Sequence, residues 1–229
     1  TTTGGALDIT AGTVSGLAGA QLVVSGATLA FSPATLTVPL TLTTTTIVGG
    51  AVTIASGQTL TLLGGGLSDP VSVQSGGVLL IRGAAALSGA LTLPTGAMLR
   101  VLGDNTVGTA ALSVASGFTN SGTIELTNSG GGSAASLTVS SGTLTNAPGG
   151  LINALVSTGG NRTLAAQLDN QGTLNVSQGL TLARVSAVAH NLRHTYGVNP
   201  GDRVAILADN HPQWIITFWA TVSIGAGLS

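Results

Sequence analysis

The sequence predicts a mainly β chain, a single-stranded, right-handed β-solenoid (a parallel β-helix) followed by a short C-terminal α/β appendage of helix, strand and helix. Three observations lead to this fold class. Short segments alternate apolar with other residues, glycine and asparagine recur at nearly regular intervals, and the composition changes abruptly near residue 183. We therefore expect a β-solenoid repeat domain over residues 1–182 and the appendage over residues 183–229.

The predicted strands share a short pattern: Gly, any residue, apolar, any residue, apolar. It occurs as SGATLAF, SGQTLTL, SGGVLLI, TGAMLRV, SGTIEL and QGTLNV. Alternation with a period of two is typical of a strand that buries one face. The first part of the chain is therefore expected to consist of short strands with Leu, Ile and Val pointing inward.

The spacing of the glycines predicts the length of one coil. Gly57, Gly77 and Gly96 follow one another at intervals of about 20 residues, as do Gly122 and Gly142. A repeat of this length, built from strands with Gly at the corners, indicates a solenoid in which each repeat forms one coil. Stacking the aliphatic residues on those of the next coil contributes about 1.5–3 kcal/mol per side chain, and Gly accepts the positive φ that corners require.

A second series carries asparagine at the corners. FTNSGTIEL, LTNAPGGLI and LDNQGTLNV place Asn120, Asn146 and Asn170 at intervals of about 25 residues, which is again the length of a solenoid repeat. Asn also tolerates corner geometry, and its side-chain amide can bond to the corner backbone or to the Asn of the next coil. The regular spacing favours stacked asparagines.

A β-sandwich is the alternative for this part, because it too has short alternating strands and turn signals. Aromatic residues are scarce here, with only Phe31 and Phe118. Sandwich cores usually need large aromatic side chains, whereas a narrow solenoid is filled by Leu, Val, Ile and Ala. The scarcity favours the solenoid.

Charge and composition exclude several classes of protein. Charged residues make up 6% of the 229 residues, the net charge is −1 and Lys is absent, so the chain lacks the basic surface of a nucleic-acid binder. Without Cys there is no disulfide framework and no thiolate metal site. No apolar run reaches the length of a membrane span. Because the sequence begins at Thr1, we expect it to be a fragment or a processed product.

The appendage begins with a predicted helix. Its apolar residues fall at i, i+3, i+4 and i+7, namely Val185, Val188, Ala189 and Leu192. The helix is expected to end near Tyr196, with Gly197 as its left-handed cap. The change of composition supports the boundary, since this part holds all three His, both Trp and the single Tyr but only four of the 35 Gly.

A turn, a strand and a second helix complete the predicted appendage. Residues 199–202 (Asn-Pro-Gly-Asp) are turn residues, and residues 204–207 (Val-Ala-Ile-Leu) indicate a short buried strand. Asn210 is expected to cap a helix that carries Trp214 and stops before Gly225. Helix, strand and helix are the parts of an α/β layer.

This segment resembles the adenylate-forming superfamily of acyl-CoA synthetases and AMP-dependent ligases. The resemblance spans residues 184–227, RVSAVAHNLRHTYGVNPGDRVAILADNHPQWIITFWATVSIGAG. The family shows Gly-Val-x-Pro-Gly-Asp-Arg-Val-Ala, then Asn-x-Pro-x-Trp opening a helix that ends in Gly-Ala. The resemblance implies the first elements of the family's N-terminal domain. The phosphate loop and the catalytic lysine of that family have no counterpart here, so it implies no catalytic residue in this chain.

The repeats resemble the stalk and passenger regions of large bacterial surface proteins, of the filamentous-haemagglutinin and autotransporter type. FTNSGTIEL, LTNAPGGLINA and LDNQGTLNV carry this resemblance, which spans about residues 50–182. It implies a rod on the outside of a bacterial cell that holds another module at a distance, or that adheres to host or surface glycans and proteins.

Two histidines of the appendage are candidate metal ligands. His190 and His194 stand four positions apart, a spacing that can hold a metal, with Asp202 and His211 as further ligands by type only. We interpret them as solvated polar residues, and Asp202–Arg203 as a turn or ion pair.

The acids of the repeat domain are widely separated in the sequence, and they are Asp8, Asp69, Asp104, Glu125 and Asp169. We interpret Asp104 and Asp169 as corner residues. The sequence therefore predicts no catalytic residue, no cofactor and no metal in this chain.

Thr-Leu-Thr pairs recur in the repeats, at Thr35/Thr37, Thr41/Thr43, Thr59/Thr61 and Thr143/Thr145. Stacked Thr ladders occur on ice-binding solenoids, but Thr is also an ordinary β-branched surface residue, and the irregular spacing favours the latter.

Three functions follow as expectations. The first is a structural or adhesive rod segment, extracellular or on the bacterial cell surface, with no catalysis by this chain. The second is an inactive fragment of an ATP-dependent acyl-activating ligase fused to the repeats, which would place the protein in the cytoplasm. The third is an ice- or glycan-binding solenoid. The sequence leaves the oligomeric state open.

Overall fold

The structure is a computed structural model that describes residues 2–3, 5–9, 20–31, 34–36, 38–182, 193, 196–204, 212–223 and 225–228. Within these residues the chain is mainly β, and its parallel strands are stacked as a β-solenoid, as the sequence predicts. The strands are numbered below in chain order.

Sheet A forms one face of the solenoid and has nine described strands, each hydrogen-bonded in parallel to the next. They are β1 (Thr2–Thr3), β3 (Leu22–Ser25), β6 (Leu40–Thr43), β9 (Thr59–Leu62), β12 (Val78–Ile81), β15 (Met98–Gly103), β17 (Thr123–Asn128), β19 (Leu151–Ala154) and β21 (Thr173–Val176).

Sheet B forms the second face, also with nine described parallel strands. They are β2 (Ala6–Ile9), β4 (Thr28–Phe31), β7 (Thr45–Val48), β10 (Gly65–Leu67), β13 (Ala84–Leu87), β16 (Ala110–Asn120), β18 (Ala135–Asn146), β20 (Arg162–Asn170) and β22 (Leu180–Leu182). The shorter sheet C closes the third face with β5 (Ala34–Leu36), β8 (Val52–Ile54), β11 (Val71–Val73) and β14 (Leu91–Thr92).

The core lies between the three sheets and consists of columns of aliphatic side chains in register. In sheet A, Leu60 pairs with Leu79 and Leu79 with Leu99, and all three are fully buried. Sheet A continues this column with Ile124 and Ile152, also fully buried. The alternation seen in the sequence is therefore the alternation between this core and the outer surface.

Of the three predicted corner glycines in the first series, Gly57 and Gly96 are confirmed and Gly77 is one position out of register. The stacked residues are Gly57, Gly76 and Gly96, with φ of 74°, 79° and 80°, joined by backbone hydrogen bonds of 3.0 and 2.8 Å. The prediction that Gly77 occupies the corner is wrong, because Gly76 has the left-handed φ and lies against Ser56. Gly142 does not repeat Gly122 either, since it lies within β18.

The two coils that end at β17 and β19 are longer than the others. The register pairs Leu60–Leu79 and Leu79–Leu99 close coils of about 20 residues, a length typical of solenoid repeats. The pairs Leu99–Ile124 and Ile124–Ile152 close longer coils. After β14, the long strands β16 and β18 bend at a shift in register and take over the third face, where Leu93 bridges to Asn120.

The described part of the appendage is a small β-α-β unit. Strand β23 (Arg203–Val204) pairs in parallel with β24 (Gly227–Leu228), and helix α1 (Pro212–Ser223) lies between them in the chain and against β20. The second helix is thus confirmed, and β24 was not predicted. The α1 helix ends as expected before Gly225, whose φ is 76°, with hydrogen bonds from Gly225 N to Val222 O and from Ala226 N to Thr221 O. This is a Schellman cap.

The first predicted helix lies almost entirely outside the described residues, as do residues 205–207 of the predicted strand and the Asn210 cap. Gly197 has the left-handed φ expected of it, at 69°. No helix in the described ranges is long and apolar enough to cross a membrane. The handedness of the solenoid and the boundary at residue 183 stay predictions.

Candidate functional site

The longer coils differ from the shorter ones mainly at the corner that joins sheet A to sheet B. Residues 82–83 alone turn this corner between β12 and β13, but the later coils insert loops of residues 104–109, 129–134 and 155–161. We call these three stacked loops the loop corner. Loops on a rigid scaffold are where function concentrates in many proteins, so this corner is the first candidate site.

Asp104 anchors the first loop. Its Oδ2 accepts a hydrogen bond of 2.7 Å from Arg82 Nε in the preceding coil, and its Oδ1 accepts bonds of 2.7 Å from the backbone N–H groups of Thr106 and Val107. The backbone of Asp104 also exchanges hydrogen bonds with Gly108. The prediction that Asp104 is a corner residue is therefore confirmed.

The electrostatics of Asp104 favour the carboxylate. The hydrogen bond from Arg82 lowers the pKa of Asp104 most, the backbone donors of Val107 and Thr106 lower it further, and burial opposes them by raising it. The pKa lies below its ordinary value near 3.8. A general acid at neutral pH needs the opposite shift, so the geometry suits Asp104 for holding the loop rather than for donating a proton.

Side chains and glycines tie the three loops together. Asn128 Nδ2 donates to Ser133 O at 3.0 Å in its own loop and to Gly159 O at 2.6 Å in the next, and Ser133 Oγ donates to Asp104 O at 3.0 Å. A Cβ on Gly160, where φ is 76°, would collide with the carbonyl oxygen of Ser133. The loop corner is thus packed backbone to backbone.

Arg162 is the most unusual residue of the corner. It opens β20 at an inward position, between Ala135 and Leu180 in register, and it is fully buried. Its Nη1 donates to Gly159 O at 3.0 Å and to Gly160 O at 2.8 Å. Its Nη2 donates to Leu155 O at 3.3 Å and to Ser157 Oγ. The third loop therefore wraps around the guanidinium group.

No carboxylate among the described residues pairs with Arg162, and its Nε is buried without a hydrogen-bond partner there. Desolvation lowers the pKa of Arg162 from its ordinary value. Sequence reasoning missed this residue. The alternation of inward and outward residues along β20 could have identified it. Arg162 is in phase with Leu164 and Ala166, which are both buried.

The second ion pair lies on the outer face of sheet A. Arg100 Nε contacts Glu125 Oε2 at 2.6 Å, and the two residues are partners in the strand register. Asp69 Oδ2 accepts from Gly50 N at 3.3 Å, and Asp169 accepts from Gln171 Nε2 at 2.7 Å. Asp169 lies within β20 rather than at the corner, so that interpretation is wrong. Among the residues that the structure describes, no three acids or histidines gather as metal ligands.

The candidate residues of the appendage are only partly described. His190, His194 and His211 lie outside the described residues. Asp202 Oδ2 accepts a hydrogen bond from Asn199 N at 2.7 Å, and Asp202 N donates to Asn199 O at 3.1 Å. The turn interpretation of Asp202 is thereby confirmed.

Hydroxyl side chains form rows on the outer surface, and these rows include Thr35, Thr41 and Thr61 of the Thr-Leu-Thr pairs. Thr41 pairs with Thr61, after which the row continues with Leu80 and Arg100. A longer row runs along sheet C. It consists of Thr35, Thr53, Ser72 and Thr92.

Comparison with known proteins concerns the C-terminal part of the chain. Residues 168–229 match the family model described as AMP-binding enzyme. The match covers about a quarter of the chain and begins inside β20, so it includes the last strands of the solenoid, β21 and β22. No curated protein and no solved structure matches the chain.

Proposed function

We propose that this chain is a structural rod segment of a bacterial cell-surface or secreted protein and carries out no catalysis itself. The observation that carries the proposal is the continuous core, in which columns such as Leu60, Leu79 and Leu99 run in register through successive coils. Such a core gives a stiff, elongated element whose length scales with the number of coils.

The chemistry of the outer surface supports the same function. Two ion pairs neutralise charges of the repeat domain. Arg82 pairs with Asp104, and Arg100 pairs with Glu125. Much of the remaining outer surface consists of Thr, Ser, Ala and Asn. Contacts with host or surface glycans and proteins, which an adhesive rod needs, would use this hydroxyl- and amide-rich surface or the loop corner.

A spacer is expected to tolerate the insertion of a whole coil, and an insertion experiment therefore tests the proposal. Duplicating residues 60–78 adds one coil, because Leu60 and Leu79 are register partners. We expect a folded protein whose maximum dimension in small-angle X-ray scattering grows by ~4.8 Å, one strand spacing. Duplicating residues 60–70, which is not a whole coil, is the matched control and is expected to disrupt folding. Equal tolerance of both insertions would contradict the proposal.

The location is tested separately in the source cells. For a cell-surface protein, treating intact cells with a protease removes the chain, whereas a cytoplasmic marker survives. Protection of the chain until the cells are lysed would instead favour a cytoplasmic protein.

An acyl-activating ligase is the second candidate, and the family match over residues 168–229 favours it. In that case the appendage belongs to the N-terminal domain of an AMP-forming enzyme and the repeats are fused to it. ATP–pyrophosphate exchange with a panel of carboxylic acids distinguishes the two. We expect no exchange from this chain, and exchange above background would favour the ligase.

The row of Thr35, Thr53, Ser72 and Thr92 favours a third candidate, an ice- or glycan-binding face. Thermal hysteresis and a glycan array test it directly. Replacing Thr53 by Val and Ser72 by Ala removes two hydroxyl groups with little change in the size of the side chains, and it abolishes either signal if this face binds.

A further inference from the structure

The last loop of the loop corner ends in the tripeptide Asn161-Arg162-Thr163. Arg162 points into the core and is fully buried. Because side chains alternate along an extended chain, Asn161 and Thr163 both point outward, on the same side. Asn161 is exposed and Thr163 is half-buried. The structure thus presents an amide and, at the next outward position, a hydroxyl group together on the outside of the loop corner.

We propose that Asn161 is an acceptor for N-linked glycosylation. Asn-x-Ser/Thr with x other than Pro is the acceptor motif for this modification, and it requires a surface position. The donor is a sugar activated at C1 by a diphosphate. The Asn161 amide nitrogen bonds to C1, the bond from C1 to the diphosphate oxygen breaks with its electron pair, and the amide proton leaves to the transferase.

The surroundings of Asn161 suit an attached sugar. Among the described residues its side chain makes no hydrogen bond, so modification breaks none. Its backbone is held in place, because Asn161 O accepts from Ala135 N at 2.9 Å and the next residue is anchored by its guanidinium group. A glycan here extends away from the solenoid without disturbing the core.

A second acceptor motif, Asn175-Val176-Ser177, serves as an internal contrast. Asn175 lies within β21, and its Nδ2 donates to Asn153 Oδ1 at 2.9 Å in the preceding coil. Modification there replaces one of the two amide hydrogens of Asn175 and places a sugar directly beside this bond between neighbouring strands. We therefore place the modification at Asn161 and not at Asn175.

The test uses the full chain in two arms. In the first, purified protein is incubated with a soluble N-glycosyltransferase and a nucleoside-diphosphate hexose. In the second, the chain is coexpressed with a membrane oligosaccharyltransferase that uses a polyprenyl-diphosphate donor. Intact mass and peptide mapping report the number and position of sugars for the wild type, N161Q, T163V and the control N175Q, with circular dichroism checking that each variant is folded.

We expect one sugar or glycan on Asn161 in at least one arm, and the arm that works identifies the kind of donor. N161Q and T163V are expected to lose the modification and N175Q to keep it. The proposal is overturned if neither arm modifies the chain while a short peptide with the same tripeptide is modified, or if the sugar maps to Asn175. Either result leaves the rod proposal intact.

Discussion

The side-chain amide of Asn120 donates a 2.8 Å hydrogen bond to the side-chain oxygen of Asn146, one coil further along, where both residues are fully buried. Asn146 in turn donates to Asn170 Oδ1 at 2.7 Å. The three asparagines end strands β16, β18 and β20 and form one ladder. The ladder joins the three coils at the corner between sheets B and A.

The first prediction concerns Asn146, the middle residue of the ladder. Asn146→Ala breaks the bonds to both neighbours and to the carbonyl groups of Gly150 and Thr173. We expect a loss of about 1–3 kcal/mol in the free energy of unfolding, because buried partners are left unpaired. Urea unfolding measures it. Asn161→Ala is the control, because its side chain is exposed and makes no hydrogen bond among the described residues, and it is expected to change stability by less than about 0.5 kcal/mol. Equal effects would rule out a stabilising ladder.

The ladder also predicts where a new asparagine is tolerated. Asn120 Oδ1 is buried with no donor in the described part of the chain, and the residue bridged to Asn120 in the preceding coil is Leu93. In Leu93→Asn the new amide can donate to Asn120 Oδ1, whereas in Leu79→Asn it meets only aliphatic side chains. We expect L93N to be less destabilising by about 1–3 kcal/mol in urea unfolding. A larger loss of unfolding free energy in L93N than in L79N would contradict the ladder geometry.

Arg162→Met tests the core of the loop corner. Met has a similar length but no donors, so the carbonyl groups of Leu155, Gly159 and Gly160 lose their partners. We expect a loss of about 1–3 kcal/mol and faster amide hydrogen exchange in residues 155–161. Arg203→Met, at an exposed arginine of β23, is the control and is expected to change stability by less than about 0.5 kcal/mol. A more stable R162M would mean that the cost of burying the charge exceeds the gain from its hydrogen bonds.

Acid is predicted to weaken the loop corner through Asp104. The folded state holds the pKa of Asp104 below its ordinary value near 3.8. The stabilisation is therefore fully present above that value and is lost as the pH falls through the lower pKa of the folded state. In thermal melts below about pH 4 we expect the wild type to lose more stability than Asp104→Asn. Identical pH profiles for the two proteins would contradict this assignment.

The solenoid could be predicted from the sequence because its core repeats a local rule. Alternation identified the inward residues, such as Leu60 and Leu79, and the spacing of Asn120, Asn146 and Asn170 matched their contacts. The spacing rule failed where two adjacent residues are identical. Gly76 and Gly77 are adjacent, and only the backbone conformation shows which of them turns the corner.

The loop corner could not be predicted in the same way. Its loops vary in sequence, and their packing depends on contacts between coils, such as Asn128 with Gly159. Arg162 was overlooked because a charged residue is expected outside, although the alternation of β20 places it in the core. The appendage was predicted from helical periodicity and family resemblance, and its strand β24 is too short to leave a periodic signal.

The central claim is that successive coils stack in parallel and in register, and disulfide mapping tests it most directly, because the chain has no native Cys. Thr53 and Ser72 are register partners on sheet C, and Thr92 follows one coil later. Neighbouring coils lie ~4.8 Å apart, within the range of about 4.4–6.8 Å that a disulfide spans between Cα atoms. We predict that T53C/S72C forms a disulfide under mild oxidation and that T53C/T92C does not. Failure of the first pair, or equal cross-linking of the second, would contradict the stacked solenoid.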